Sequence, residues 1–531
     1  MNTWVTDFLS QYAGMYFVMQ VFVITAIFVL GVAVTTLLLP KEDSSHALIF
    51  TMAFPIGISV FIFVGFIMLL AGVPYKTNLI SLFLIVIGLC SLCCAAAHHS
   101  FAAAGISVKR FVISIILVVF FGALCTSGYL PMSVSNDSLY YFWQYPRAIV
   151  YYEGLRDQFD NFLTDTGVGA AVIGTIPFLY GFGETFGIQA FFNFNFILFF
   201  ANGVYETLSR FFGREEFKRN VLVSCLAGVL IGVCTPAYIL SHWAMANMYF
   251  MEIFFVIMYL LFAHSGNHSY GKMTLIGTLT FALALLRMEG AVFVLFIAVV
   301  ASLLDYRGKD IAAFIVLPTA TLVGMYDLKI FNAFNVDNPV KFLTPGKAVI
   351  QFAAFVILAV YLLFVRTRIR DRFGKWLPLL FIGALVLANV IICIMDTELY
   401  IANLRAFFGN LFGQSGWGIL PYVAIGAMLI ILVWEVFLSN RKMSRFNDFL
   451  KVDKFASSFW LMATVGFILI CLVVSFARGD NLTVATGDSG NRVLLQGAPL
   501  IVFMIISWFI ELIAEENRET EPTGENVQSN L

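Results

Sequence analysis

Apolar runs of bilayer length, separated by short polar links, occupy most of the chain between residues 15 and 514. A helix that crosses the hydrocarbon core needs roughly 20 mostly apolar residues, and about fifteen segments meet or approach that length. They lie near 15–38, 47–73, 79–97, 111–130, 187–209, 220–240, 243–263, 272–286, 290–304, 311–327, 347–366, 376–395, 417–438, 455–476 and 493–514. The pattern predicts an all-α fold, a polytopic transmembrane helical bundle. The 272–286 and 290–304 runs are short, so either the bilayer thins there or these helices pack within protein. The Gly-rich piece GVGAAVIGTIPFLYGFG (167–183) is predicted to be re-entrant or surface-lying, since irregular backbone at membrane depth is tolerated where protein or a watery cavity covers it. The last stretch, EENRETEPTGENVQSNL, is polar and without periodicity, and disorder is expected there.

Composition agrees with the pattern. With 60% hydrophobic and 12% charged residues over 531 positions, the chain carries more apolar surface than one water-soluble core could hide. A net charge of −1 supplies no global field to recruit nucleic acid. All eight cysteines fall in apolar stretches, where they read as small packing residues and imply no disulfide framework. The cluster CSLCC followed by His98 and His99 lacks the spaced ligand pairs of a zinc site, so neither a metal nor a cofactor is expected. No basic residue precedes the first apolar run, the first lysine being Lys41, so that run reads as a retained helix and not a cleaved signal peptide.

Basic residues are distributed unevenly between alternate links. KEDSSH, VKR, RFFGREEFKR, DYRGKD, RTRIRDRFGK and NRKMSRFNDFLKVDK all fall on one side, provided that 167–183 does not cross. By the positive-inside rule that side is cytoplasmic, which sets the N-terminus outside and the C-terminus in the cytoplasm of a multi-pass cell-membrane protein. The chain then divides into N-terminal transmembrane helices (1–110), a transmembrane core (111–515) that includes an outer loop (131–186), and a cytoplasmic tail (516–531).

On the predicted outer side stand Asp137, Arg147, Glu153, His242, Trp243, Arg287, Glu289, Asp327, Lys329, Asp480, Asp488 and Arg492. Ionisable groups in or beside spans are costly to bury and mark function more often than chance. In SNDSLYYFWQYPRAIVYYEGL (135–155), Leu139, Phe142, Trp143, Pro146, Ile149 and Val150 follow helical spacing, which predicts an interfacial amphipathic helix that Pro146 kinks or restarts. Asp137 immediately precedes this helix and, from spacing alone, reads first as its N-cap.

NDSLYYFWQYPRAIVYYEGL resembles the first outer loop of bacterial GT-C superfamily membrane glycosyltransferases, of the dolichyl-phosphate-mannose protein mannosyltransferase-like group. TGVGAAVIGTIPFLYGFG, LLRMEGAVFVL and GDSGNRVLLQGAPLIVF resemble later segments of that family. Phe142 and Trp143 depart from it, standing where relatives often carry a His. The resemblance implies a GT-C-like bundle that moves a sugar from a polyprenyl-phosphate donor to a glycan, lipid or protein acceptor on the outer face, among membrane lipids and without nucleic acid. Asp137 then matches the acidic position and serves as general base of an inverting transfer. Arg492, then Arg287, are the candidates for the donor phosphate, whose charge grows in the transition state. Tyr140, Tyr141, Arg147, Glu289 and Asp488 are expected to support them. Arg492 is equally readable as a snorkelling residue, and Arg287 with Glu289 as an ion pair bracing a helix break. A lipid-linked polysaccharide polymerase and a transporter or flippase remain alternatives, the second without the matched half-repeats of transporter folds.

Overall fold

The computed structural model describes residues 3–41, 45–127, 140–155, 167–182, 186–213, 215–234, 245–263, 269–287, 290–304, 306–333, 345–364, 377–413, 416–433, 466–477 and 489–520. The described residues form helices and links, with no strand among them. In chain order the principal helices are α1 (Thr3–Leu38), α2 (His46–Ala71), α3 (Thr77–Ala97), α4 (Val108–Thr126), α5 (Tyr145–Tyr151), α6 (Val168–Tyr180), α7 (Phe186–Phe212), α8 (Phe217–Val233) and α9 (Ala246–Ala263). They continue as α10 (Tyr270–Leu286), α11 (Gly290–Leu303), α12 (Leu317–Ala333), α13 (Pro345–Phe364), α14 (Leu377–Met395), α15 (Thr397–Phe412), α16 (Leu420–Val433), α17 (Phe467–Ala477) and α18 (Ser489–Thr520). Each of the predicted runs carries a helix. Among the described residues, seven helices are long and apolar enough to cross a bilayer, and further apolar helices are shorter.

Helix ends are set by local chemistry. The Ser45 side chain accepts from Leu48 N to start α2, and Gly72 in the left-handed region ends it. Lys329 Nζ then donates to the Leu69 and Leu70 carbonyls at the end of α2, the first of which also accepts from Gly72 N. α1 and α2 approach almost backbone to backbone. A Cβ built on Gly31 would overlap the Ala53 carbonyl oxygen, an approach that only a residue without a side chain permits.

Links rich in basic residues gather at one end of the bundle. Ser45 Oγ donates to Glu206 Oε1 at 3.1 Å, Gly271 packs on the Leu38 carbonyl, and Lys272 stands over the Tyr306 ring. At the other end Tyr75 N donates to Glu153 O, and the Lys76 ammonium pairs with the Glu153 carboxylate. The basic links at 366–375 and 439–454 lie outside the described residues.

α6 begins and finishes at this second end. Gly167 takes φ +85° against the Leu285 carbonyl, whereas near the helix's far end Thr77 Oγ1 donates to Leu179 O and Tyr75 OH bonds Thr175 Oγ1. The segment therefore dips into the bundle without crossing, as its glycine content predicts. α5, preceded by a π-helical turn over Tyr140–Gln144, packs on α6 through buried Phe142, Tyr145, Pro146 and Ile149. Pro146 stands in the first turn of α5, where the winding changes from the π-helical turn to the α-helix.

Several expectations need correcting. Trp143, assigned to the apolar face, is exposed, and Tyr145 takes its place. Cys90, Cys93, Cys94 and Cys225 lie on exposed surface and so are not packing residues, whereas Cys125, Cys234 and Cys471 are buried. α15 falls in what read as a plain link, starting where the Asp396 carboxylate accepts from Leu399 N. α18 runs to Thr520, past the start of the expected tail. The short pair α10 and α11 is buried among other helices, so its length reflects packing within protein.

Two outcomes test this packing. Gly31→Leu should lower unfolding stability in detergent by at least about 3 kcal/mol, because rigid backbone faces the new side chain. Gly383→Leu, where a Cβ meets nothing, should leave the thermal midpoint in place. The Tyr75 phenol is fully buried, and burial raises it well above its ordinary value. The fold thus holds this proton more tightly than the unfolded chain does. Its stabilisation is complete below about pH 10 and is lost as pH rises beyond, with a limiting slope of roughly 1.4 kcal/mol per pH unit. Tyr75→Phe should show the smaller alkaline loss when both proteins are unfolded across that range.

Candidate functional site

Three helix beginnings meet at the second end of the bundle. The chain breaks after α10 at Arg287, whose extended backbone (φ −150°, ψ 155°) turns it towards Gly290 and α11. Gly290 N donates to Arg287 O at 3.0 Å, which holds the start of α11 beside that arginine. Asn247 stands in the first turn of α9, and Arg492 in the first turn of α18.

Asn247 joins the two arginines. Arg287 Nη1 donates to Asn247 Oδ1 at 3.0 Å, and Asn247 Nδ2 donates to the Arg492 carbonyl at 3.1 Å. Both ends of one buried amide are used, one for each partner. Arg492 Nη1 also reaches Met245 Sδ at 3.2 Å. Asn247 is 1% exposed, whereas both arginines are half-buried and so accessible from one side.

The electrostatics of this corner favour an anion. Helix N-termini present unsatisfied N–H groups and a partial positive charge, and Arg287, Asn247 and Arg492 stand in or beside three of them. Guanidinium grips phosphate or carboxylate oxygens in a fixed fork, which a lysine cannot reproduce.

Arg287 and Arg492, both selected from sequence, are thus brought together. Asp137, Glu289 and Asp488 lie outside the described residues, as do His242, Trp243 and Asp480. Tyr140 and Tyr141 open the π-helical turn before α5. Arg147 lies on the exposed face of α5 with its guanidinium 5.7 Å from the Trp143 ring centre, a cation–π contact at the surface. Phe142, from the same stretch, stacks on buried Tyr249 of α9 at 6.2 Å and ties this stretch to the helix that carries Asn247. Glu252 finds a partner in Asn195, whose Nδ2 donates to Glu252 Oε1 at 3.0 Å and to Thr51 O at 2.8 Å.

Asn247 escaped the sequence reading. A lone Asn at the start of an apolar span carries no motif, and its only signal was a polar group placed where a span begins, in WAMANMYF.

The fold and this corner define an integral, multi-pass helical membrane protein. No protein-family model, no curated protein and no solved structure matches the chain.

Asn247→Leu should reduce stability by about 1.5–3 kcal/mol, since it removes two hydrogen bonds, one of them from a charged donor. Heat unfolding of the purified protein in detergent measures this. An unchanged midpoint would mean that the amide does not brace the arginines.

Proposed function

We propose that the chain is a membrane glycosyltransferase that moves a sugar from a polyprenyl-phosphate donor to a cell-envelope acceptor at the outer face. The single observation that carries this reading is the convergence of Arg287 and Arg492 on Asn247, beside three helix beginnings. The resemblance of 136–155 and three later segments to GT-C enzymes supplies the reaction type. The unequal distribution of basic links supports the assignment of this end to the outside.

In the proposed reaction the acceptor hydroxyl oxygen attacks the anomeric carbon as the bond from that carbon to the phosphate oxygen breaks. The hydroxyl proton passes to the Asp137 carboxylate, and polyprenyl phosphate departs with the bonding electron pair. Charge on the phosphate rises through the transition state, so Arg287 and Arg492 bind that state more strongly than the ground state. Tyr140, Tyr141, Arg147, Glu289 and Asp488 are assigned to loop anchoring and to support of these groups.

Cap and base make different demands on Asp137. Asn caps a helix about as well as Asp, but an amide cannot take the proton. Asp137→Asn should therefore keep its abundance in membranes and lose transfer by about 100- to 10,000-fold. Retained transfer would remove the base assignment. Native mass spectrometry of the purified protein tests the donor: a bound polyprenyl monophosphate sugar supports the transferase, whereas a lipid diphosphate supports a polymerase. A Cys placed at Arg147 should react with an impermeant reagent in intact cells if this end faces outward.

A further inference from the structure

The π-helical turn and α5 together form a strap, Tyr140 to Tyr151, laid over α6. Its inner side is apolar and closely seated. Pro146 Cγ occupies the place of the Cβ that Gly174 of α6 lacks, and Phe142 Cα would lie 3.1 Å from that Cβ. Phe142 also stacks on Tyr249 of α9, two residues beyond Asn247. The far end of the strap is held differently, by polar contacts to the link between α2 and α3. Tyr75 N donates to Glu153 O at 2.9 Å, and the Lys76 ammonium lies 3.0 Å from the Glu153 carboxylate. The link is itself anchored to α6: Tyr75 OH bonds Thr175 Oγ1, Thr77 Oγ1 donates to Leu179 O, and Ser81 shares a hydrogen bond with Tyr180 OH.

Glu153 ends α5 in a conformation that suits glycine. Gly154 N donates to Ile149 O at 3.0 Å and Glu153 N to Val150 O at 3.3 Å, the pair of bonds that closes a helix through one left-handed residue. That residue is Glu153, at φ +56°. A side chain with a Cβ is disfavoured at such an angle, where glycine is the usual occupant. What the glutamate supplies instead is its carboxylate, which reaches Lys76. The pair stands in contact with solvent, its two side chains being 50% and 44% exposed. An exposed pair contributes little and weakens as salt rises. Cost and gain at Glu153 are therefore comparable in size and opposite in sign.

We propose that Glu153 is a releasable pin: the end of the strap exchanges between a state fastened to the α2–α3 link and a free one, and the ionic content of the medium at this end of the bundle sets the balance. Phe142 and Pro146 form the fixed side, so release lifts the Tyr151–Glu153 end while the start of the strap stays on α6 and α9. The pin does not draw on the chemistry assigned to the arginine corner, and its test stands apart from that reading.

Hydrogen–deuterium exchange of the full chain in detergent, read by mass spectrometry over 145–154, reports the population of the free state. Between about 0.01 and 1 M salt the screening length falls from about 30 to 3 Å. Wild-type exchange over 145–154 should then rise roughly two- to fivefold, the range that an exposed pair supplies. At low salt Lys76→Gln and Glu153→Gln should each reach the high-salt wild-type rate, and neither should respond further to salt. Glu153→Gly, which loses the pair and the backbone strain together, should exchange more slowly than Glu153→Gln. Exchange over 275–285, in buried α10, should be the same in all four proteins, which separates release of the strap from general unfolding. A rate over 145–154 that ignores both salt and the two Gln substitutions removes the pin. A Glu153→Gly rate at or above that of Glu153→Gln removes the stored strain and with it the balance proposed. Exchange that rises alike in α10 means that the strap does not move as a separate unit, which also overturns the proposal.

Discussion

One buried amide governs the relation between the two halves of the candidate site. Asn247 accepts from the side chain of Arg287 and donates to the backbone of Arg492, residues on helices that the chain visits far apart. In a low-dielectric interior an amide left half-satisfied is expensive, so the arrangement that satisfies both ends is strongly preferred. The geometry of the α10–α11 break and of the start of α18 therefore depends on this side chain. The left-handed Gly167 closes the same corner from the side of α6, against the Leu285 carbonyl.

The same requirement for internal partners recurs through the bundle. Hydrocarbon offers polar groups nothing, so they must pair inside the protein. Midway along α9, Glu252 is answered by Asn195, which is itself tied to the Thr51 carbonyl. Nearer the basic end, Glu206 accepts from the Tyr259 hydroxyl and from Ser45. Between these two sites Phe199, Phe200, Phe255 and Phe503 pack edge-on and stacked, leaving apolar material between them. α9 is thus polar at intervals and aromatic between, and three of its polar positions hold neighbouring helices in register.

Placing positive helix ends and two guanidinium groups together is unfavourable unless something negative shares the space. In the proposed reaction this arrangement would serve as electrostatic potential that packing holds ready before the donor binds.

Much of this was legible in the sequence, because spans depend on local hydrophobicity. The helices over the predicted runs, the non-crossing α6 and the grouping of basic links all follow from apolar length, glycine content and charge placement. Arg287 and Arg492 stood out because an arginine beside a span is costly. Other features were invisible for a physical reason: hydropathy does not distinguish a side chain that faces lipid from one that faces protein. Cys90, Cys93 and Cys94 therefore read as packing residues although they lie on exposed surface. α15, with its mixed polarity, resembled a link. Asn247 looked like an isolated polar residue until folding brought α10 and α18 to its two ends. The sequence by itself determined which segments are helices and which charges sit at their ends. Only the tertiary structure decided which of those ends meet, since that depends on shape and hydrogen-bond complementarity between segments far apart in the chain.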